Sequence, residues 1–182
     1  MNLPLSDADH IKLSYLKPAQ VRKEMAFHFG FRQADGASLI SIIRNGNRPG
    51  NNQMEKEASS MRGFMKGFID LTFRYKGKIY MLDYKSNHLG NHFDEYKGTI
   101  LAESITKSMF DLQYHIYSLA LHRYLKERIG TDYSYETHFG GVFYLYLRGI
   151  QENASTGVFF DRPDASTIEQ LNEYFDQFRG YH

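Results

Sequence analysis

The stretch GFIDLTFRYKGKIYMLDYKSN, residues 67–87, holds two apolar runs of the kind that become strands. Each run is interrupted by one carboxylate, Asp70 in the first and Asp83 in the second. The runs meet at Lys76-Gly77, where glycine can supply a positive φ and a two-residue turn closes a hairpin. With those residues as the turn, Tyr75 faces Lys78, Phe73 faces Tyr80 and Asp70 faces Asp83. Like charges opposite one another destabilise a sheet, more so in apolar surroundings. A shared proton, a nearby cation or a divalent metal would offset the repulsion, and hard oxygen donors are what Mg²⁺ or Mn²⁺ prefers. Strand alternation adds Lys85, which projects to the same face as Asp83 while Tyr84 projects to the other. Two carboxylates and an ammonium on one face suit phosphodiester hydrolysis. Metals held by the acids polarise the phosphate and lower the pKa of a bound water, and the lysine neutralises charge developing in the transition state. The backbone carbonyl of Tyr84, between the two side chains, is a further oxygen for the same metal.

Composition narrows the setting. A chain of 182 residues with 42% apolar side chains is expected to form one domain, residues 1–182. A formal charge of +1 excludes a polyanion-binding surface made by bulk charge, so any nucleic-acid face must be a local patch. There is no cysteine, hence no disulfide and no thiolate metal site. No apolar run approaches the ~20 residues that cross a bilayer, and MNLPLSDADH lacks the pattern of a secretory signal. The expectation is a soluble cytoplasmic domain with no membrane association. No Walker-type glycine-rich loop occurs, so no ATP site is expected in this segment.

Outward from the hairpin, VRKEMAFHFGFR (21–32) alternates as a strand, with Met25, Phe27 and Phe29 on one face. SLISII (38–43) reads as a short strand or a helical turn, and residues 44–60 as a mobile surface loop. Residues 1–19 carry few signals. After a loop over 87–98, helices are predicted from Thr99 to Lys107 and from Asp111 to Ile129, the second closed by Gly130. HFGGVFYLYLRGI (138–150) is a strand apolar on both faces, and TGVFFDRP a short edge strand ended by Pro163. STIEQLNEYFDQF opens with the capping-box spacing Ser166…Glu169 and is a terminal amphipathic helix. The order of elements predicts an α/β fold, a mixed central sheet with helices against it.

Three stretches together, GFIDLTFRYKGKIYMLDYKSNHLG, DLQYHIYSLALHRYL and HFGGVFYLYLRG, closely resemble the C-terminal nuclease domain of the RecB-type nucleases, within the PD-(D/E)xK superfamily. The resemblance runs from about Val21 to about Asp176 and implies a restriction-endonuclease-like fold. It implies that Asp70 and Asp83 are the acidic metal ligands, with Mg²⁺ as the ion and Mn²⁺ able to substitute, and that Lys85 is the catalytic lysine. Gln113 and Tyr117 match the family's Gln-x-x-x-Tyr motif; spaced i, i+4, they share a helix face. Glu24 matches an acid on the first core strand, and the LRG tripeptide with Arg148 also matches, making Arg148 a candidate DNA contact. Lys107, His122, Arg123, Lys126 and Arg128 make the helical region basic, which fits either phosphate contact or a solvated face.

One departure is expected to matter. The family's metal-ligating histidine lies on a helix upstream of the first core strand, in a stretch this chain does not contain, so the sequence reads as an N-terminally truncated domain. His10 and His28 sit in the wrong context to replace it. The resemblance implies a nuclease of unwound single strands in double-strand-break repair, with DNA, RecC and RecD subunits and the RecA recombinase as partners. The alternative is a catalytically incompetent fragment that holds DNA or docks RecA.

Overall fold

Lys76 and Gly77 have φ of 47° and 81°, both positive, as a two-residue turn that follows the twist of its strands requires. The protein is described here by a computed structural model covering residues 4–6, 11–44, 61–151, 154 and 156–176. In chain order its elements are β1 (Pro4–Ser6), β2 (Ile11–Lys12), β3 (Val21–Ala34), α1 (Gly36–Ile43), β4 (Met61–Tyr75) and β5 (Lys78–Lys85). There follow α2 (Gly98–Lys107), α3 (Phe110–Ile129), α4 (Tyr135–His138), β6 (Phe139–Tyr146), β7 (Val158–Asp161) and α5 (Ala165–Asp176). The main sheet has the order β3-β4-β5-β6-β7. All its neighbours are antiparallel except β5 and β6, which are parallel. A parallel pair needs a long crossover; here it carries α2, α3 and α4, and so brings α3 back across the sheet. The architecture is α/β with a five-stranded mixed sheet flanked by helices, consistent with a restriction-endonuclease-like fold.

The sheet has a different cover on each face. One face packs under the helices, where Met25, Ile69, Met81, Tyr144 and Tyr146 meet Leu101, Ile105, Leu119, Ile168 and Leu171. The other packs Leu71, Phe73, Tyr80, Leu82, Phe143 and Leu145 against Ile11, Leu13 and Leu16. Residues 1–19, silent in sequence, thus include a working layer: Ile11 is fully buried there, and β1 pairs with β2 in a small antiparallel ribbon.

SLISII is helical, not extended. Asp35 caps α1 by accepting the Ser38 N–H at 2.8 Å, a side-chain cap that decides between the two readings. Of the loop predicted over 44–60, only Arg44 is among the described residues, and His10 lies outside them. The capping box at Ser166 is not formed as predicted. α5 starts at Ala165, and the Ile168 N–H donates to the Asp164 carbonyl, so Ser166 falls inside the first turn. The edge strand ending at Pro163 is present as β7, antiparallel to β6. No described helix is long and apolar enough to cross a membrane.

β3 and β4 carry an irregularity beside Asp70. Between Val21 and Phe31 their register is continuous on both sides of one gap, with Lys23 against Leu71 and Met25 against Ile69. Glu24 and Asp70 stand at that gap, and Glu24 has φ of 49°. Before it Val21, Leu71 and Phe73 pack under the N-terminal layer; beyond it Met25, Phe27, Met65 and Ile69 pack under the helices. Residues of one parity therefore change face at Glu24 and Asp70, on both strands at once. Local distortions of this kind re-aim a side chain without ending the pairing.

Candidate active site

The β4–β5 ladder runs from Tyr75/Lys78 to Leu71/Leu82 and stops one pair short of Asp70/Asp83. The sequence predicts those acids directly opposite; instead the strands part there. β5 continues beside β6, Asp83 against Tyr144 and Lys85 against Tyr146. Asp70 spans the opening with its side chain, whose Oδ2 accepts the Tyr84 backbone N–H at 3.0 Å. A carboxylate thus takes the place of a ladder carbonyl at the fork.

Alternation on β5 is as expected. Asp83 and Lys85 are buried on the helix-covered face, 8% and 7% exposed, while Tyr84 turns to the other face at 43%. The Lys85 Nζ lies 2.7 Å from the Asp83 Oδ2, so a lysine supplies the cation that the paired acids call for. Burial still pushes the Asp83 carboxyl above its ordinary range, against the hydrogen bond and charge of Lys85, and the Asp70 charge adds to the rise. The carboxylate is short of solvation that one ammonium does not restore.

α3 completes the site from above. The Gln113 Oε1 accepts from the Lys85 Nζ at 2.7 Å and from the Tyr144 hydroxyl at 2.9 Å. The Gln113 Nε2 donates to the Tyr117 hydroxyl oxygen at 3.2 Å. Burial, with the Asp83 and Asp70 charges, raises the Tyr117 phenol, partly offset by its bond from Gln113; Tyr117 therefore feels both acids. Its ring stands edge-on to Phe27 at 5.0 Å between centroids. A Cβ at Gly67 would come within 3.3 Å of it and 2.6 Å of Phe27, so the glycine leaves room for this ring pair. The i, i+4 prediction for Gln113 and Tyr117 is matched: both turn toward the fork.

Two site residues were not foreseen. The Lys85 ammonium sits over the Phe110 ring at 3.9 Å from its centroid and over the Tyr144 ring at 4.4 Å. Cation–π attraction of this kind strengthens as water is excluded, and Tyr144 is fully buried. Its hydroxyl also lies 3.2 Å from the Phe110 carbonyl, where α3 begins. The parallel β5–β6 register sets Tyr144 beside Asp83, and that register could not be read from one sequence. Arg148 is exposed beyond β6 and donates from Nε to the Ser86 carbonyl at 2.9 Å, tying the segment after β5 to the end of β6. The basic helical region divides. His122 is buried, and Arg123 is engaged with Asn172 and Asp176, so neither belongs to a solvated basic face.

The donor set can be tested against a metal. Among the described residues no group of three His, Cys, Asp or Glu comes together. Two carboxylates at a fork, one of them short of donors, fit an ion such as Mg²⁺ that keeps most of its shell as water and takes one or two carboxylates. They do not fit a closed zinc site with four protein ligands.

An α/β domain with a five-stranded mixed sheet, two acids and a lysine at a strand fork beneath α3 is consistent with the restriction-endonuclease-like class. Within it the chain is a relative of RecB. It is 41% identical over 177 residues to the RecBCD enzyme subunit RecB of Escherichia coli, 96% of this chain. It is 38% identical over 173 residues to RecB of Haemophilus influenzae, and 39% over 165 residues to RecB of Buchnera aphidicola subsp. Schizaphis graminum. The chain spans about 15% of the length of the curated relatives it matches. No family model matches it.

Proposed function

We propose that this chain is a metal-dependent DNA nuclease domain of a RecB-type helicase–nuclease, acting in the cytoplasm on single strands unwound during double-strand-break repair and recombination. The observation that carries the reading is the buried Asp83–Lys85 pair at 2.7 Å beside Asp70, in a chain 41% identical to a RecB. Asp70 and Asp83, with the Tyr84 carbonyl, would hold Mg²⁺, which when bound polarises the phosphate and acidifies a water. Lys85 places its ammonium where negative charge grows on the phosphoryl oxygens. Gln113 holds that ammonium together with Asp83, and Tyr117 reaches the strand from α3. Arg148 lies beyond β6 and offers its remaining guanidinium donors to the DNA backbone. The partners of the whole assembly would be RecC, RecD and RecA.

Digestion of a labelled single-stranded oligonucleotide in Mg²⁺ or Mn²⁺ tests the reading. Cleavage is expected, and its loss in Asp83→Ala and in Lys85→Ala. Absence of cleavage with RecA binding intact would instead make the chain a docking module.

A further inference from the structure

The hydrogen bonds around Gln113 have a direction, and that direction reaches Tyr117. An ammonium can only donate, so the group that Lys85 touches at 2.7 Å is the amide oxygen. The Tyr144 hydroxyl lies between two oxygens, the Gln113 Oε1 at 2.9 Å and the Phe110 carbonyl at 3.2 Å; it too donates. Two donors converge on one end of the amide and fix which way it points. Its other end, the NH₂, must then donate, and it meets the Tyr117 hydroxyl oxygen at 3.2 Å. That oxygen is already an acceptor, so the phenolic hydrogen of Tyr117 is directed to a different acceptor. Phe27 and the bare backbone of Gly67 hold the ring, and both acids act on the phenol from the fork side.

We infer that Tyr117 gives its hydroxyl hydrogen to a non-bridging phosphate oxygen of the strand held at the fork, and that Tyr144 is a positioning residue that, with Lys85, locks Gln113 to free that hydrogen. The inference rests on the nuclease reading. A neutral donor serves here where a second lysine would compete with the metal for the two carboxylates. It also gives the amide a role that a carboxylate could not fill: a carboxylate at 113 would satisfy Lys85 and Tyr144 equally, but would claim the Tyr117 hydrogen for itself.

The test is a double-mutant cycle with Gln113→Glu and Tyr117→Phe, read by single-turnover cleavage of a labelled oligonucleotide. Each single variant should slow cleavage by about 100- to 1000-fold, the range for loss of one donor to a reacting centre. The double variant should be no slower than the worse single one, because Gln113→Glu already removes the hydrogen that Tyr117→Phe deletes. Multiplying losses would overturn the inference. In a Gln113→Met background, which leaves Tyr117 its hydrogen, adding Tyr117→Phe should still slow cleavage; no further loss would count against the inference, and this arm serves if the glutamate variant folds poorly. Tyr144→Phe keeps the ring over Lys85 but drops the hydroxyl. It should lower kcat by a few fold with KM unchanged, and an effect on KM alone would remove it as a positioning residue. If the unaltered chain binds DNA without cutting it, the nuclease reading fails by itself, and the same cycle is read on oligonucleotide affinity in EDTA by fluorescence anisotropy. A chain that neither cuts nor binds overturns both.

Discussion

One hairpin has two unlike ends. Near its turn, Phe73 and Tyr80 stack at 5.2 Å with planes 10° apart, and Phe143 closes on both. All three are at most 3% exposed, and the burial is apolar, apart from the phenol. At its open end, β5 buries an aspartate and a lysine, and its ladder with β4 lapses. The first end is what a core needs for stability, since burying a large apolar side chain contributes about 1.5–3 kcal/mol. The second costs desolvation that ion pairing offsets only in part. The apolar core and the candidate site lie at opposite ends of one β-ribbon.

This division can be broken experimentally, and the sharpest attempt replaces the charged end altogether. Asp83→Leu combined with Lys85→Met should abolish cleavage while leaving stability to urea unchanged or raised by about 1–4 kcal/mol, as for other buried ion pairs exchanged for apolar groups. A large loss of stability would mean that the pair holds the fold together. Phe73→Ala should do the opposite, lowering stability by about 3–5 kcal/mol while the cleavage rate per folded molecule stays the same. A fallen rate in that variant would show that the two ends are coupled. Between them lies Gly67→Ala. Its methyl meets the Phe27 and Tyr117 rings, so a stability cost of about 1–3 kcal/mol should come with a modest fall in cleavage, both measured on the same preparation.

The smallest effect is a pH dependence. The Asp83 carboxyl is raised in the folded state, so the unfolded chain loses this proton first as pH rises. The stability that the group contributes is whole below the ordinary value of 3.8 and is lost as pH climbs through the raised value. The charges facing it are Lys85 and Asp70, with Tyr117, Tyr144 and Tyr146 around it. Asp83→Asn should therefore match the unaltered chain near pH 3.5 and exceed it at neutral pH, judged by urea midpoints. His115 and His122, both lowered by burial, destabilise the chain as pH falls below 6.5, but equally in the two proteins. Mg²⁺ should narrow the gap by binding the carboxylate form.

Much of the hairpin was legible because a tight turn fixes register and register fixes faces. From Lys76-Gly77 alone, the pairs out to Leu71 and Leu82 follow, and so do the shared face of Asp83 and Lys85 and the opposed face of Tyr84. The parting of the strands was not legible, because it arises where β5 trades one neighbour for another, a choice made by β6 from more than fifty residues away. The role of Tyr144 was hidden for the same reason. SLISII was ambiguous by periodicity and was settled by one side chain, Asp35, just outside the window. Residues 1–19 gave no pattern because a layer built from Ile11, Leu13 and Leu16 needs neither period 2 nor period 3.6 to cover a sheet. In the site, Asp83 and Lys85 could be placed by parity on β5, and the two residues on α3 by their spacing, but the change of face at Asp70 and the way the amide of Gln113 points are properties of the assembled structure.

The change of face at Glu24 and Asp70 has an evolutionary consequence. A lost codon elsewhere in either strand would turn the rest of that strand over and present its polar side to a dry layer. Loss of Glu24 alone would instead keep both faces and leave Asp70 as an ordinary bulge on β4. Selection on folding therefore guards the spacing on either side of Asp70 more strictly than the distortion opposite it.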